Sequence, residues 1–265
     1  MSTPMSAPRL PWPTAAEPLP LASLRPVLDR LSSLATRHGE DVQMIPGAAL
    51  AETEVAADPP PALEQLTDEL GGVRLRELPL LTLQIEERTD VGPYTLLGEP
   101  TSFYPLYETP DAAVILTLDE HGAPGAVYGI GEDLALQLAA PDLPTYLDRF
   151  TDALERTLAA LTERGPAAED SADARTDAAE QFMDEHLFAA LLGMRELADM
   201  PQAAPCSAEQ VADAAEVAGA LAIWDLRGAA LGTRVDLMDT DTPGDPLALH
   251  VRFGADGLVV TLQDG

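Results

Sequence analysis

Not one of the 265 residues is lysine; all 15 basic side chains are arginine. Without an ε-amine the chain cannot form a Schiff base, and it lacks the lysine that grips phosphates in a nucleotide-binding P-loop. Positive charge is scarce overall, since 45 Asp and Glu leave a formal net charge of −30 at neutral pH. A surplus of that sign repels phosphate backbones and anionic membranes across a Debye length. It argues against a nucleic-acid or lipid surface and favours basic partners. Acidity also serves solubility, and that explanation stands beside the first. Cysteine is nearly missing: Cys206 alone cannot close an internal disulfide, which suits a reducing, cytoplasmic setting. No stretch is apolar for long enough to span a bilayer, and the opening MSTPMSAPRLPWPTAAEPLP has no apolar signal core.

Recognisable catalytic constellations are missing too. His38, His121, His186 and His250 stand in no metal-binding spacing, and no G-x-S-x-G marks a nucleophile. In YGIGED, Gly129 and Gly131 lack the third glycine of a phosphate cradle and are followed by acids, so they read as a bend or bulge between strands. Asp184, Glu185 and His186 adjoin on a helix, where successive residues diverge, and read as a solvated face. The most metal-like stretch is DLMDTDTPGDP, with Asp236, Asp239, Asp241 and Asp245. It matches half of a calcium loop, but Pro243 takes a ligand position and His250 stands where the closing Glu belongs, so an acidic hairpin turn is the simpler reading. Paired carboxylates such as Glu132-Asp133 are uninformative among 45 acids. The expectation is a chain with no cofactor, no metal and no catalysis.

What is present is a core: 46% of the residues are hydrophobic. Residues 1–19 read as a flexible arm. LASLRPVLDRLSSLATRHG places Leu21, Leu24, Val27, Leu28, Leu31 and Leu34 on one helical face, with Pro26 in the first turn. PPALEQLTDELGG predicts a short helix ended by Gly71 and Gly72. LPLLTLQIEER, SFYPLYE, AAVILTLDE, GAVYGI and DLALQLA follow as short strands of an antiparallel meander, closed by the amphipathic helix LPTYLDRFTDALERTLAALTERG. The polar residues 165–177 read as a linker. Residues 178–265 then predict helices, including one capped by Ser207 and Gln210, followed by the strands AIWDLRG, TRVDLMD, LALHVRF and LVVTLQ. The fold class expected is α+β: a meander sheet flanked by helices over 20–164, then a second, smaller α+β domain over 178–265.

The Pro-led helix with paired glycines at Pro61 to Gly72, the strands around an Asp/Gly turn at Val114 to Ile130, and the small-residue lead into a helix at Leu138 to Phe150 resemble the SUKH superfamily. That family includes bacterial immunity proteins against polymorphic toxins and a fungal regulator of cell-wall assembly. The resemblance spans residues 20–163; the Asn often found before the glycines is replaced by Glu69-Leu70. It implies a non-catalytic α+β scaffold whose variable surface grips a specific protein. The expected function is immunity-type binding of a basic protein such as a nuclease toxin. The aromatics Phe103, Tyr104 and Tyr107 are the candidate anchors, at least one of them turned into the sheet by alternation, and Glu108, Asp111, Glu132 and Asp133 supply charge. A DNA mimic that competes for a DNA-binding protein, and a general regulatory scaffold, remain alternatives.

Overall fold

The computed structural model describes residues 12–47, 59–83, 102–164, 172–192, 200–211, 217–237, 249–254 and 257–263. Helix α1 (Leu21–Arg37) buries Leu24, Val27, Leu28, Leu31 and Leu34, the stripe its spacing dictates. Pro26 lies inside the helix, past its first turn. Strand β1 (Val42–Pro46) follows, then a 3-10 turn (Pro61–Leu63) running into α2 (Glu64–Glu69). The paired glycines do not end this helix. They lie inside strand β2 (Leu70–Leu75), and a Cβ on Gly72 would collide with the Leu81 carbonyl of strand β3 (Leu78–Thr82). Together β1, β2 and β3 form a small antiparallel sheet in that order.

The central sheet holds the last four strands of the predicted meander, β4 (Phe103–Glu108), β5 (Ala113–Leu118), β6 (Pro124–Ile130) and β7 (Ala135–Ala140), each antiparallel to the next, while the first, LPLLTLQIEER, gives β3 of the small sheet instead. Every residue of β5 and of β7 is buried, so alternation alone could not say which face was wet; neither is. One face carries Tyr104, Leu106, Val114, Leu116 and Val127 against α1 and the 22-residue helix α3 (Leu143–Arg164), whose Tyr146, Leu147, Phe150, Leu154 and Leu158 are buried. Each large apolar side chain so enclosed is worth roughly 1.5–3 kcal/mol. At the rim of this layer Arg30 bridges α1 to α3, its guanidinium 2.5 Å from Asp148, 2.6 Å from Asp152 and 3.2 Å from Glu155.

The opposite face brings together the two stretches expected as separate domains. Phe103, Ile115, Tyr128, Ile130, Leu136 and Leu138 pack against Trp224, Val235, Val251, Phe253 and Val259 in one shared cluster. Those partners come from β8 (Ala222–Asp225), β9 (Arg234–Asp236), β10 (Leu249–Phe253) and β11 (Leu258–Gln263). Strand β9 pairs with β7 and completes the central sheet as its fifth strand, while β10, β11 and β8 form a third sheet over it. The C-terminal residues thus share one core with the first half and close a smaller one of their own around Val211, Val217, Ile223, Leu258 and Val260.

Three further expectations change. Helix α4 (Ala172–Met183) begins inside the span read as a linker, whose residues 165–171 lie outside those described. Of the supposed flexible arm, 12–19 is pinned: Trp12 is buried against Tyr104, Ala16 N–H donates to the His121 carbonyl and Leu19 N–H to that of Ala62. Ser207 N–H does donate to Gln210 Oε1 at 2.8 Å, yet the cap opens a single 3-10 turn, Ala208–Gln210, among the described residues. The loop from Asp239 to Asp245 also lies outside them.

A latch joins α4 to the small sheet. Arg76 Nη1 lies 2.7 Å and Arg175 Nη2 2.9 Å from the Asp41 carboxylate, which is only 11% exposed. Hydrogen bonds from Arg175 first, then Arg76, hold the Asp41 pKa below the ordinary range. A carboxylate with a depressed native pKa stabilises the fold above its unfolded value, near 3.9, and loses that contribution as pH falls through the native value. Asp41→Asn is therefore expected to cost about 2 kcal/mol at neutral pH, discounted for partly exposed arginines. The difference from wild type should shrink below about pH 4, as urea denaturation at several pH values would show.

Candidate functional site

Strand β4 continues past its buried residues into an exposed turn, and there one strand face meets α4. After Met183 the helix passes through a π turn, Asp184–Phe188, before the short α5 (Ala189–Leu191). The wider turn brings Phe188 over Tyr107, ring centroids 4.3 Å apart and nearly parallel at 20°. Two glycines make this approach possible. A Cβ on Gly129 would collide with the Leu191 carbonyl, and one on Gly131 with that of Leu192. Gly129, inside β6, is thus a bare seat for the helix end, while Gly131 does lie in the bend between β6 and β7 that the sequence suggested, its carbonyl accepting from Leu134 N–H.

The result is a cleft of about 190 Å³ between β3, β4 and α4, with Leu80, Tyr107, Met183 and Phe188 as apolar walls and Glu108, Glu180 and Asp184 at its lips. Glu180 and Asp184 stand one helical turn apart on the same face. Neither carboxylate takes a hydrogen bond or ion pair from a described residue. Burial, and next the charge of Glu180, raise the Asp184 pKa above the ordinary carboxylate range. Tyr107 is pushed up as well, first by burial and then by Asp184 and Glu180. These shifts share one physical content: negative charge is held beside apolar rings without a counterion. A cation that fits between them relieves both the repulsion and part of the desolvation. Guanidinium or ammonium groups suit the place, because aromatic faces attract them and carboxylates pair with them.

The seven residues expected to bind a partner divide sharply. Tyr107 and Glu108 line the cleft. Phe103 and Tyr104 are not anchors: Phe103 is 2% exposed between two sheets, and Tyr104 is fully buried on the helical side, its hydroxyl donating to the Leu83 carbonyl at 2.7 Å. Adjacent residues of a strand point to opposite faces, and here both faces are covered. Asp111 and Glu132 are exposed in the β4–β5 and β6–β7 turns, at the same end of the central sheet as the cleft. Asp133 is exposed too but occupied, accepting from Arg234 Nη1 at 2.7 Å and from Ala135 N–H at 3.1 Å. Sequence reasoning missed Glu180, Asp184 and Phe188. The two acids at i and i+4 were a readable signal; their meeting with β4, more than 70 residues away, was not.

Among the described residues no cluster of three or more His, Cys, Asp and Glu could hold a metal ion. No described helix is long and apolar enough to cross a membrane. No protein-family model matches the chain, and no curated protein or solved structure matches it either.

Proposed function

We propose that the chain is a non-catalytic binding protein of the cytoplasm that grips a basic protein, as an immunity protein of SUKH type grips a nuclease toxin. The observation that carries this reading is the uncompensated pair Glu180 and Asp184 beside the stacked Tyr107 and Phe188. An arginine or lysine of the partner enters between ring and carboxylates, while Asp111 and Glu132 at the same sheet end extend the attracting field. Proteins that bind nucleic acids must carry cationic surfaces to neutralise phosphates, so a net charge of −30 steers them here from a distance. Long-range attraction sets the rate of encounter, and the aromatic floor then gives the contact its lifetime.

The test is affinity capture from the native host lysate with the full chain and with Glu180→Arg/Asp184→Arg. The wild type is expected to retain a basic protein at about 50 mM salt and to release most of it near 300 mM, as screening demands. Its nucleic-acid-degrading activity should fall when it is bound. The double variant should retain at least about tenfold less, because like charges now meet at the contact. Recovery of no basic protein, or undiminished retention by the variant, would reject the proposal. Asp184→Asn serves as a folding control with a sign of its own. A carboxyl whose native pKa is raised destabilises the fold once pH exceeds that pKa, so its neutral replacement should be stabilising, by about 0.5 kcal/mol, while weakening partner binding.

A further inference from the structure

The latch around Asp41 joins two elements whose continuations form the Tyr107 cleft. Arg76 occupies the two-residue turn between β2 and β3, and Leu78, Pro79 and Leu80 just after it line one side of the cleft. Arg175 lies early in α4, and Glu180, Met183 and Asp184 further along line another. Glu180 stands about 7.5 Å down the helix axis from Arg175. A displacement at the latch therefore reaches the cleft along a strand and a helix, with no loop between to absorb it. The cluster is densely bonded. Arg175 Nε and Nη2 lie 3.2 and 2.9 Å from the two carboxylate oxygens of Asp41. Arg76 Nη1 donates to Asp41 Oδ1 at 2.7 Å, its Nε donates to Thr176 Oγ1 of α4 at 3.1 Å, and its backbone N–H donates to the Asp41 carbonyl at 2.6 Å.

We propose that Asp41, Arg76 and Arg175 are positioning residues that set the width of the Tyr107 cleft, an inference that rests on the reading of that cleft as the partner's seat. Two further observations support it. Arg76 has a φ of 56°, in the left-handed region where glycine is the cheap occupant. An arginine held there against that strain points to a role for its side chain, and the side chain ties the hairpin to the helix. Helix α4 is also weakly keyed elsewhere along its length. Its buried Ala178 and Ala179 are small, and small side chains raise no ridge to stop a helix from sliding on its neighbour. With the latch made, Glu180 and Asp184 are held at a fixed distance from Leu80 and Tyr107. With it broken, α4 drifts from the hairpin and the carboxylates no longer converge on a cation seated against the ring.

The test measures the latch and the cleft separately in the full chain. Glu77 and Asp177 are exposed neighbours of Arg76 and Thr176. Nitroxides on Glu77→Cys and Asp177→Cys, in a Cys206→Ser background, report the span of the latch by electron paramagnetic resonance. The intact latch is expected to give one narrow distance, and Asp41→Asn and Arg76→Gly a longer, broader one, at a temperature where near-ultraviolet circular dichroism shows each folded. Arg76→Gly relieves the backbone while removing the guanidinium, so a turn that mattered only for its shape would keep the short distance. The Tyr107 ring resonances, shifted by the stacked Phe188, should move in both variants. A blocked peptide of alternating arginine and glycine should bind Asp41→Asn about fivefold more weakly than wild type, and by reciprocity should narrow its distance distribution at saturation. Arg175→Lys should recover part of the affinity that Arg175→Leu loses. Unchanged distances, or lengthened distances with unmoved Tyr107 resonances, would overturn the proposal. A peptide that binds neither wild type nor variants rejects the reading of the cleft instead, and the distances and ring resonances still decide the latch.

Discussion

Gly129→Ala is expected to cost about 3 kcal/mol, at the upper end for overpacking a core, although it adds one methyl group. The added carbon has nowhere to go, since it points at the Leu191 carbonyl, a backbone atom that cannot rotate aside as a side-chain tip would. Relief requires α5 to lift from β6, and the π turn that carries Asp184 and Phe188 lifts with it. Stability and binding should therefore fall together. Urea midpoints would report the first. For the second, any basic partner held at the Tyr107 cleft should lose about tenfold or more, since contact geometry an ångström out is costly. Gly228→Ala makes the contrasting control: nothing lies within 4 Å of a Cβ there, so only the strain of its positive φ of 70° is felt, about 1 kcal/mol. If Gly129→Ala matched that control, the close approach of helix to sheet would be refuted.

The second large effect concerns Arg234, 4% exposed at the junction of β9 with β7. Its guanidinium meets Asp133 at 2.7 Å and Asp236 at 3.4 Å, and its Nε is buried without a partner. Removing Asp133 strands most of a buried positive charge, whereas removing Arg234 leaves a carboxylate that is one-third exposed and can rehydrate. Asp133→Ala is thus expected to cost about 3 kcal/mol, and Arg234→Met, which keeps the apolar stem, about 1 kcal/mol or less. Thermal unfolding of both variants and of the double mutant measures the difference. A reversed order would show that the arginine draws its stability from elsewhere. The same geometry explains why Asp133 is a poor docking residue: a partner's cation would have to compete with Arg234 for it.

How much of this was readable beforehand depends on the range of the interaction concerned. Period-3.6 stripes placed α1 and α3, because a helix declares its buried face within one turn. Turn residues separated β4 to β7, because hairpins are local. The Ser207–Gln210 cap was legible as a contact but not as a helix, since a cap says where a helix can begin and nothing about its length. Glycine had the least legible role. Gly71 and Gly72 looked like a stop and proved to be strand; Gly129 looked like a bend and proved to lie inside β6 as a seat for α5. For Gly72 and Gly129 the reason is an approaching backbone from elsewhere in the fold, which leaves no mark on neighbouring residues. Phe103 and Tyr104 failed as anchors for a related reason. Strand alternation can hide one of two neighbours, but a second sheet packed on the far face hid both.

The pairing of β9 with β7 also dictates a timetable. Because β9 zips onto β7 only after some hundred intervening residues have been made, the middle layer must wait with a raw flank and an uncovered greasy side while synthesis proceeds. Vectorial emergence from the ribosome thus leaves this apolar face of the middle layer to be sealed by strands made well after it. A chaperone stationed at the tunnel exit would find its natural client in that interval.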